Sequence, residues 1–457
     1  MLFSSISFLF YFLPCVLVLY FLVPRHFKNF ILLISSLVFY AWGEPRLVFL
    51  MLITITVGYV LGILTEKHTK CRKLYVTLAV LFCLGALGYF KYANFFIENI
   101  NGVTGLSISL LKIALPIGIS FYTFQILSYN VDVYRGDVPA QKNPIHLATY
   151  ITMFPQLIAG PIVRYKDVEK QLAHREHTIS KTALGIRRFI FGLSKKILIA
   201  NVLGELCEIF RQSNEKSVLF YWMYAIAFSL HIYFDFSGYS DMAIGLGKIF
   251  GFDFMENFNY PYISKSITEF WRRWHISLGS WFRDYVYFPL GGSRVRPVKM
   301  FFNIFVVWML TGFWHGAAWN FIIWGLYFAV LLVIEKTVLL NKLQKSKILN
   351  HVYVLFAVVI SFVIFNAMNM TQLFGDIGGL FGAGNIPLTS AEAIYCLKNY
   401  GFVFLLACIG ATPIPKKIAE RYKVTQCLEP IVLLLCLLAC TAYLVDGSFN
   451  PFLYFRF

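Results

Sequence analysis

Two histidines carry the clearest chemical signal in this chain. His315 stands in MLTGFWHGAAWNFIIWGLYF (residues 309–328), an otherwise apolar stretch, with Trp314 beside it, Gly312 and Gly316 flanking it and Asn320 nearby. An ionisable side chain at membrane depth is costly and tends to face a cavity or a partner. The small residues at 312, 316, 317 and 318 allow another backbone or a ligand to approach closely. A neutral histidine hydrogen-bonded inside a helix bundle has the same signature. His275 stands in SKSITEFWRRWHISLGSWFRDYVYFPLGGSR (264–294), among Trp271, Trp274, Trp281, Arg272, Arg273, Arg283 and Asp284. Arginine and tryptophan interleaved this densely suit the lipid headgroup level, as a structural interfacial helix. The alternative is that the segment forms the floor of a site. His275 then shares a polar cavity with His315, and the arginines hold an anionic donor by bidentate contacts.

A third polar stretch, SLHIYFDFSGYSDMAIGLG (229–247), places His231 and Asp235 four residues apart on one helix face, with Asp241 in a Gly-rich apolar setting. No metal-ligand spacing accompanies them, so a buried structural His/Asp pair is expected and no metal. His26, His68, His146, His174, His177 and His351 fall in or beside loops. No G-x-S-x-G elbow, Walker A sequence or G-x-G-x-x-G fingerprint is present, so serine-hydrolase, ATPase and dinucleotide chemistry have no support. A histidine without a nearby nucleophile suits a general base. It takes the proton of an acceptor hydroxyl while that hydroxyl attacks an acyl group already activated as a thioester.

The elements that must position these residues are membrane helices. Of 457 residues, 58% are hydrophobic and only 14% charged, against about 25% charged in soluble domains. Too little polar surface exists for a water-facing globule, and the composition excludes disordered, collagen-like and disulfide-scaffold classes. The net charge of +17 comes without a basic tail or a nucleic-acid-reading motif, and no nucleic-acid partner is expected. The nine cysteines form no C-x-x-C and fall mostly inside apolar runs, as small hydrophobes. The N-terminus lacks a basic n-region and a cleavage site, so a retained first span is expected.

Apolar runs near 6–23, 29–42, 47–64, 74–90, 113–133, 186–204, 217–234, 301–314, 317–334, 352–368, 400–411 and 430–445 predict about 11–12 spans. The Pro- and Gly-containing stretches 146–163 and 239–252 fit re-entrant or broken helices. Most of the 40 basic residues fall in seven alternate loops. Placing those loops in the cytoplasm puts both termini outside. No soluble domain or fixed-period repeat is visible. The chain reads as a single all-α polytopic membrane domain, with N-terminal helices over 1–112, a core over about 113–370 and C-terminal helices over 371–457.

At these residues the sequence resembles the membrane-bound O-acyltransferase family, in its bacterial branch typified by the alginate O-acetyltransferase membrane subunit. The resemblance runs through LFSSISFLFYFLP, YAWGEP, LPIGISFYTFQILSYNVDVYRG (115–136), FPQLIAGPIVRY (154–165), YFDFSGYSDMAIGLGKIFGF (233–252), FWRRWHISLGSWFRDYVYFPLGG (270–292), TGFWHGAAWNFIIWG (311–325) and NPFLYFRF (450–457). It implies a multi-helix fold around a central funnel or tunnel. The family's near-invariant histidine matches His315, and its second signature polar residue matches His275, as orienter of the acceptor or stabiliser of the oxyanion. Asn320, Trp314, Arg273, Arg283 and Asp284 are further donor- or substrate-binding candidates.

The resemblance also implies no bound cofactor, a cytosolic thioester such as acetyl-CoA as donor, and passage of the acyl group across the bacterial inner membrane. Final transfer to an exported or cell-wall polysaccharide is expected to need a separate secreted or membrane-tethered partner of the SGNH-like esterase fold. The rival within the family is D-alanyl transfer from a carrier protein to teichoic acid. Outside it, a proton-relaying transporter predicts internal repeats that the sequence lacks, and a scaffold of a polysaccharide export complex predicts that both histidines are dispensable.

Overall fold

A computed structural model of the chain describes residues 2–158, 160–343, 345–346 and 348–446; the NPFLYFRF motif lies outside them. Every regular element among the described residues is helical. Among the described residues eight helices are long and apolar enough to cross a membrane, fewer than the 11–12 spans read from apolar runs. The difference lies in length and polarity. Lys28–Gly43 and Ile119–Arg135 are helices of 16 and 17 residues, short of the roughly 20 that a bilayer core requires. The helix running from Ile179–Ser194 into Asn201–Gln212 carries Lys195 and Lys196 in its middle. The protein is a multi-pass membrane protein.

The two expected broken helices have different outcomes. Residues 146–163 do break: Pro144–Thr152 ends at Met153, a single turn follows at Phe154–Leu157, and Val163 and Arg164 continue without helix. Residues 239–249 do not, because YSDMAIGLGKI is the last third of one 32-residue helix, Val218–Ile249. Its glycines serve packing: a Cβ on Gly245 would stand 2.6 Å from the Gly185 carbonyl, so a second helix lies against this face. The chain turns only at Gly251, at φ +87°.

The described residues fall into two compact units, one within 1–189 and 239–255 and the other within 190–238 and 256–446. In the first, Gly58 and Gly62 are one helical turn apart on Val48–Lys67, facing Ile119–Arg135. A Cβ would meet Ile126 at 2.6 Å and Tyr129 at 2.8 Å, the small-xxx-small contact by which membrane helices approach. Asp241, whose setting looked purely apolar in sequence, accepts hydrogen bonds from Arg188 Nε and Nη2 at 2.9 and 2.8 Å. In the second unit Pro297–His315 and Trp319–Ile334 pack as an antiparallel pair. Their contact is glycine against backbone: a Cβ on Gly312 would strike the Phe321 carbonyl, and one on Gly325 the Trp308 carbonyl. Beneath them, the buried Glu335 carboxylate accepts from the Ile267 and Thr268 amides and the Thr268 hydroxyl at 2.6, 3.1 and 2.7 Å. It thereby caps the Ile267–Arg273 helix that leads into His275.

Candidate active site

His315 is the last residue of its helix. Gly316 leaves the helix in an extended conformation, and a Cβ there would strike the Phe321 ring, so the W-H-G-A-A-W-N spelling makes a tight reversal between two packed helices. The reversal turns the imidazole inward, where it is 5% exposed. Three rings meet it nearly perpendicularly: Trp314, Trp324 and Phe365, with centroids at 5.0, 5.1 and 5.3 Å. Asn320 braces this wall, donating through Nδ2 to the Phe365 carbonyl at 2.9 Å.

His275 joins the Ile267–Arg273 and Ile276–Phe282 helices with φ 44° and ψ 54°. A left-handed non-glycine residue costs about 1–2 kcal/mol, a strain often found where side-chain aim matters. The side chain is 1% exposed. Phe236 packs edge-on at 4.7 Å, and the Trp314 ring lies 6.0 Å away. Trp314 therefore contacts both imidazoles. Nδ1 of His275 is 3.2 Å from Asn257 Oδ1, which also meets the Ser277 amide at 3.2 Å and the Ser277 hydroxyl at 2.8 Å. Nε2 is buried without a hydrogen-bond partner among the described residues. His275 lies outside the spanning helices, and burial pushes its imidazole down to about 3, so it stays neutral at physiological pH.

The remaining sequence candidates have other partners. Arg273 bonds Glu269 at 2.9 Å and the Asn259 carbonyl at 3.0 Å, which ties its helix to the preceding loop. Arg283 pairs with its neighbour Asp284 at 2.8 Å and is 56% exposed. Asp235 pairs with Lys196 at 2.5 Å, and His231 Nδ1 lies 2.6 Å from the Ala200 carbonyl. His231 and Asp235 are both buried, and Lys196 on the neighbouring helix supplies a countercharge to Asp235. Among the described residues no cluster of three or more His, Cys, Asp or Glu side chains could hold a metal. Asn257, Ser277, Trp324 and Phe365 were not singled out by sequence. Asn257 is 18 residues before His275, and the pairing of the Ile276 amide with the Asn257 carbonyl, at 3.0 Å, joins its side-chain contacts in bringing the two together.

The fold and site define a polytopic membrane protein with two buried imidazoles gathered around one indole. The chain belongs to the membrane-bound O-acyltransferase family, whose model matches residues 100–374. It is therefore an O-acyltransferase. It is 38% identical to the probable alginate O-acetylase AlgI of Azotobacter vinelandii over the whole of both chains. It is 45% identical to that of Pseudomonas aeruginosa over 85% of this chain and 76% of the relative. The peptidoglycan O-acetyltransferase of Helicobacter pylori is 32% identical over 85% of this chain and 81% of its own. By contrast, the teichoic acid D-alanyltransferase of Bacillus subtilis matches 47% of this chain and 58% of its own, at 34% identity.

Proposed function

We propose that the protein moves an acetyl group from a cytosolic thioester, acetyl-CoA, across the bacterial inner membrane for O-acetylation of an exported or cell-wall polysaccharide. His315 is the general base. In the transfer step the acceptor hydroxyl oxygen bonds to the thioester carbonyl carbon and the carbon–sulfur bond breaks. The hydroxyl proton passes to His315 and then to the leaving thiolate, which departs as the thiol. The observation that carries this reading is the buried Nε2 of His275, which has no hydrogen-bond partner among the described residues, in a ring that shares the Trp314 indole with His315. A buried polar atom left without a partner costs free energy, and a bound substrate would remove that cost.

Acetyl rather than D-alanyl transfer is favoured by the relatives that match across the chain, which are named as acetylases or acetyltransferases. Basic loops on the cytosolic side, with both termini outside, would attract a phosphorylated thioester to the inner mouth. A separate SGNH-like partner on the outer side then passes the acetyl group from that acceptor to the polymer. Arg273 and Arg283 take no part in this reading, because Arg273 is bonded to Glu269 and the Asn259 carbonyl and Arg283 to its neighbour Asp284.

The test is ester-linked acetate on exported polysaccharide from cells whose only copy is wild type, His315→Ala or His275→Ala, at matched membrane levels. Loss of a general base removes about 10²–10⁴ in rate. The expected result for His315→Ala is acetate at background with normal polymer export. Full acetylation by that variant would remove His315 from the chemistry.

A further inference from the structure

The contacts of Asn257 bear on which nitrogen of His275 carries the proton. The backbone amide of Ser277 can only donate, and it points at the terminal atom of Asn257 at 3.2 Å. That atom is therefore the carbonyl oxygen, an acceptor, and the Ser277 hydroxyl donates to it as well, at 2.8 Å. His275 Nδ1 approaches the same oxygen at 3.2 Å. Two lone-pair-bearing atoms cannot bond to each other, so Nδ1 must be the protonated nitrogen. The Ser277 hydroxyl oxygen, 3.4 Å from Nδ1, is a second acceptor on that side, since its own proton is directed to Asn257. A neutral ring protonated at Nδ1 has a bare lone pair at Nε2. Nε2 is the buried atom with no hydrogen-bond partner among the described residues.

We infer that Asn257 is a positioning residue that holds His275 as the Nδ1–H tautomer, so that Nε2 accepts a hydrogen bond from bound substrate and does not donate to the oxyanion. This rests on the acyltransferase reading above. The reacting hydroxyl has one proton, which His315 takes, so the bond to His275 comes from a second, non-reacting hydroxyl of the acceptor. The substrate class that fits is a polyol, with hydroxyls on neighbouring carbons as in a sugar ring. Asn257 is fully buried and its backbone carbonyl accepts the Ile276 amide, so both its main chain and its side chain fix the turn that aims the imidazole.

Two measurements on the full-length protein test this. The first is the side-chain 15N spectrum of histidine-labelled protein in nanodiscs, where a His275→Ala sample identifies the His275 signals. The expected wild-type spectrum has a protonated Nδ1 and a bare Nε2. A protonated Nε2 overturns the inference, whatever the activity. The second is polysaccharide acetate, with membrane levels and thermal midpoints checked. Asn257→Ala is expected to lose about 10²-fold, the upper range for partners that orient a histidine. Asn257→Asp retains an acceptor for Nδ1–H and is expected to stay within about tenfold of wild type. Wild-type acetate from Asn257→Ala, with His275→Ala inactive, would overturn the positioning role. If His275→Ala and His315→Ala both acetylate fully, the acyltransferase site assignment fails, and the spectrum still decides the tautomer on its own.

Discussion

The second unit contains two buried polar centres that differ in completeness. At one, Lys196 and Asp235, 2% and 1% exposed, neutralise each other at 2.5 Å, and His231 meets the Ala200 carbonyl on the next helix. At the other, His275 is held on one side by Asn257 and Ser277 and on the other has no hydrogen-bond partner among the described residues. The two look alike in sequence, each a histidine near charged residues in an apolar stretch. The closed centre locks Val218–Ile249 to its neighbour, while the open centre has an unmet hydrogen bond that a substrate can fill. Buried ionisable residues therefore divide by what remains unsatisfied around them.

Several substitutions would break or sharpen this contrast. The largest effect belongs to His315→Ala, with acetate at background and the fold intact. Next is Lys196→Met, which leaves Asp235 buried and uncompensated and is expected to cost about 3–5 kcal/mol in unfolding experiments in detergent. The double variant Lys196→Met/Asp235→Leu removes both charges and is expected to recover most of that stability and to keep full acetylation. A stable double variant without acetylation would show that the closed centre takes part in the chemistry, and the contrast would collapse.

A smaller effect is expected from pH. His275 titrates near 3 when folded and near 6.5 when unfolded. Between those values the unfolded chain binds the extra proton, so stability is full above about 6.5 and falls as pH drops through the window. His275→Gln should therefore have a flatter thermal midpoint between about pH 6.5 and 4 than wild type. An unchanged slope would mean that the imidazole is not buried neutral. The smallest effect is expected from Arg283→Ala. Its exposed pair with Asp284 contributes at most about 1 kcal/mol, and acetate should stay within about twofold of wild type. A large loss of acetate would return Arg283 to the donor site.

Much of the site was legible because its motifs are local. The W-H-G-A-A-W-N run makes its own reversal, since Gly316 frees the chain beside the Phe321 ring and Asn320 reaches only to the facing Phe365 carbonyl. The dense Trp and Arg around His275 marked that segment too, but not which of its residues matter. Arg273 and Arg283 attracted notice by charge and turned out to bond to near neighbours, whereas Asn257 is an unremarked residue in ENFNYPY. The glycines of 239–249 read as a break and proved to be the contact face of a continuous helix, because a glycine that frees the backbone and one that admits a neighbour look the same in one dimension.

The sequence by itself determined the solvent, the helical class, the family motifs and the two histidines. Each of these depends on composition or on residues within a few turns of one another, where covalent spacing sets the geometry. The tertiary structure decided the partners: Lys196 for Asp235, the Ala200 carbonyl for His231, and Asn257 for His275. A buried polar atom must find whichever complementary group packing brings within about 3 Å, and separation along the chain does not determine which group that is. The open Nε2 of His275 is likewise a property of that packing, and the proposed chemistry depends on it.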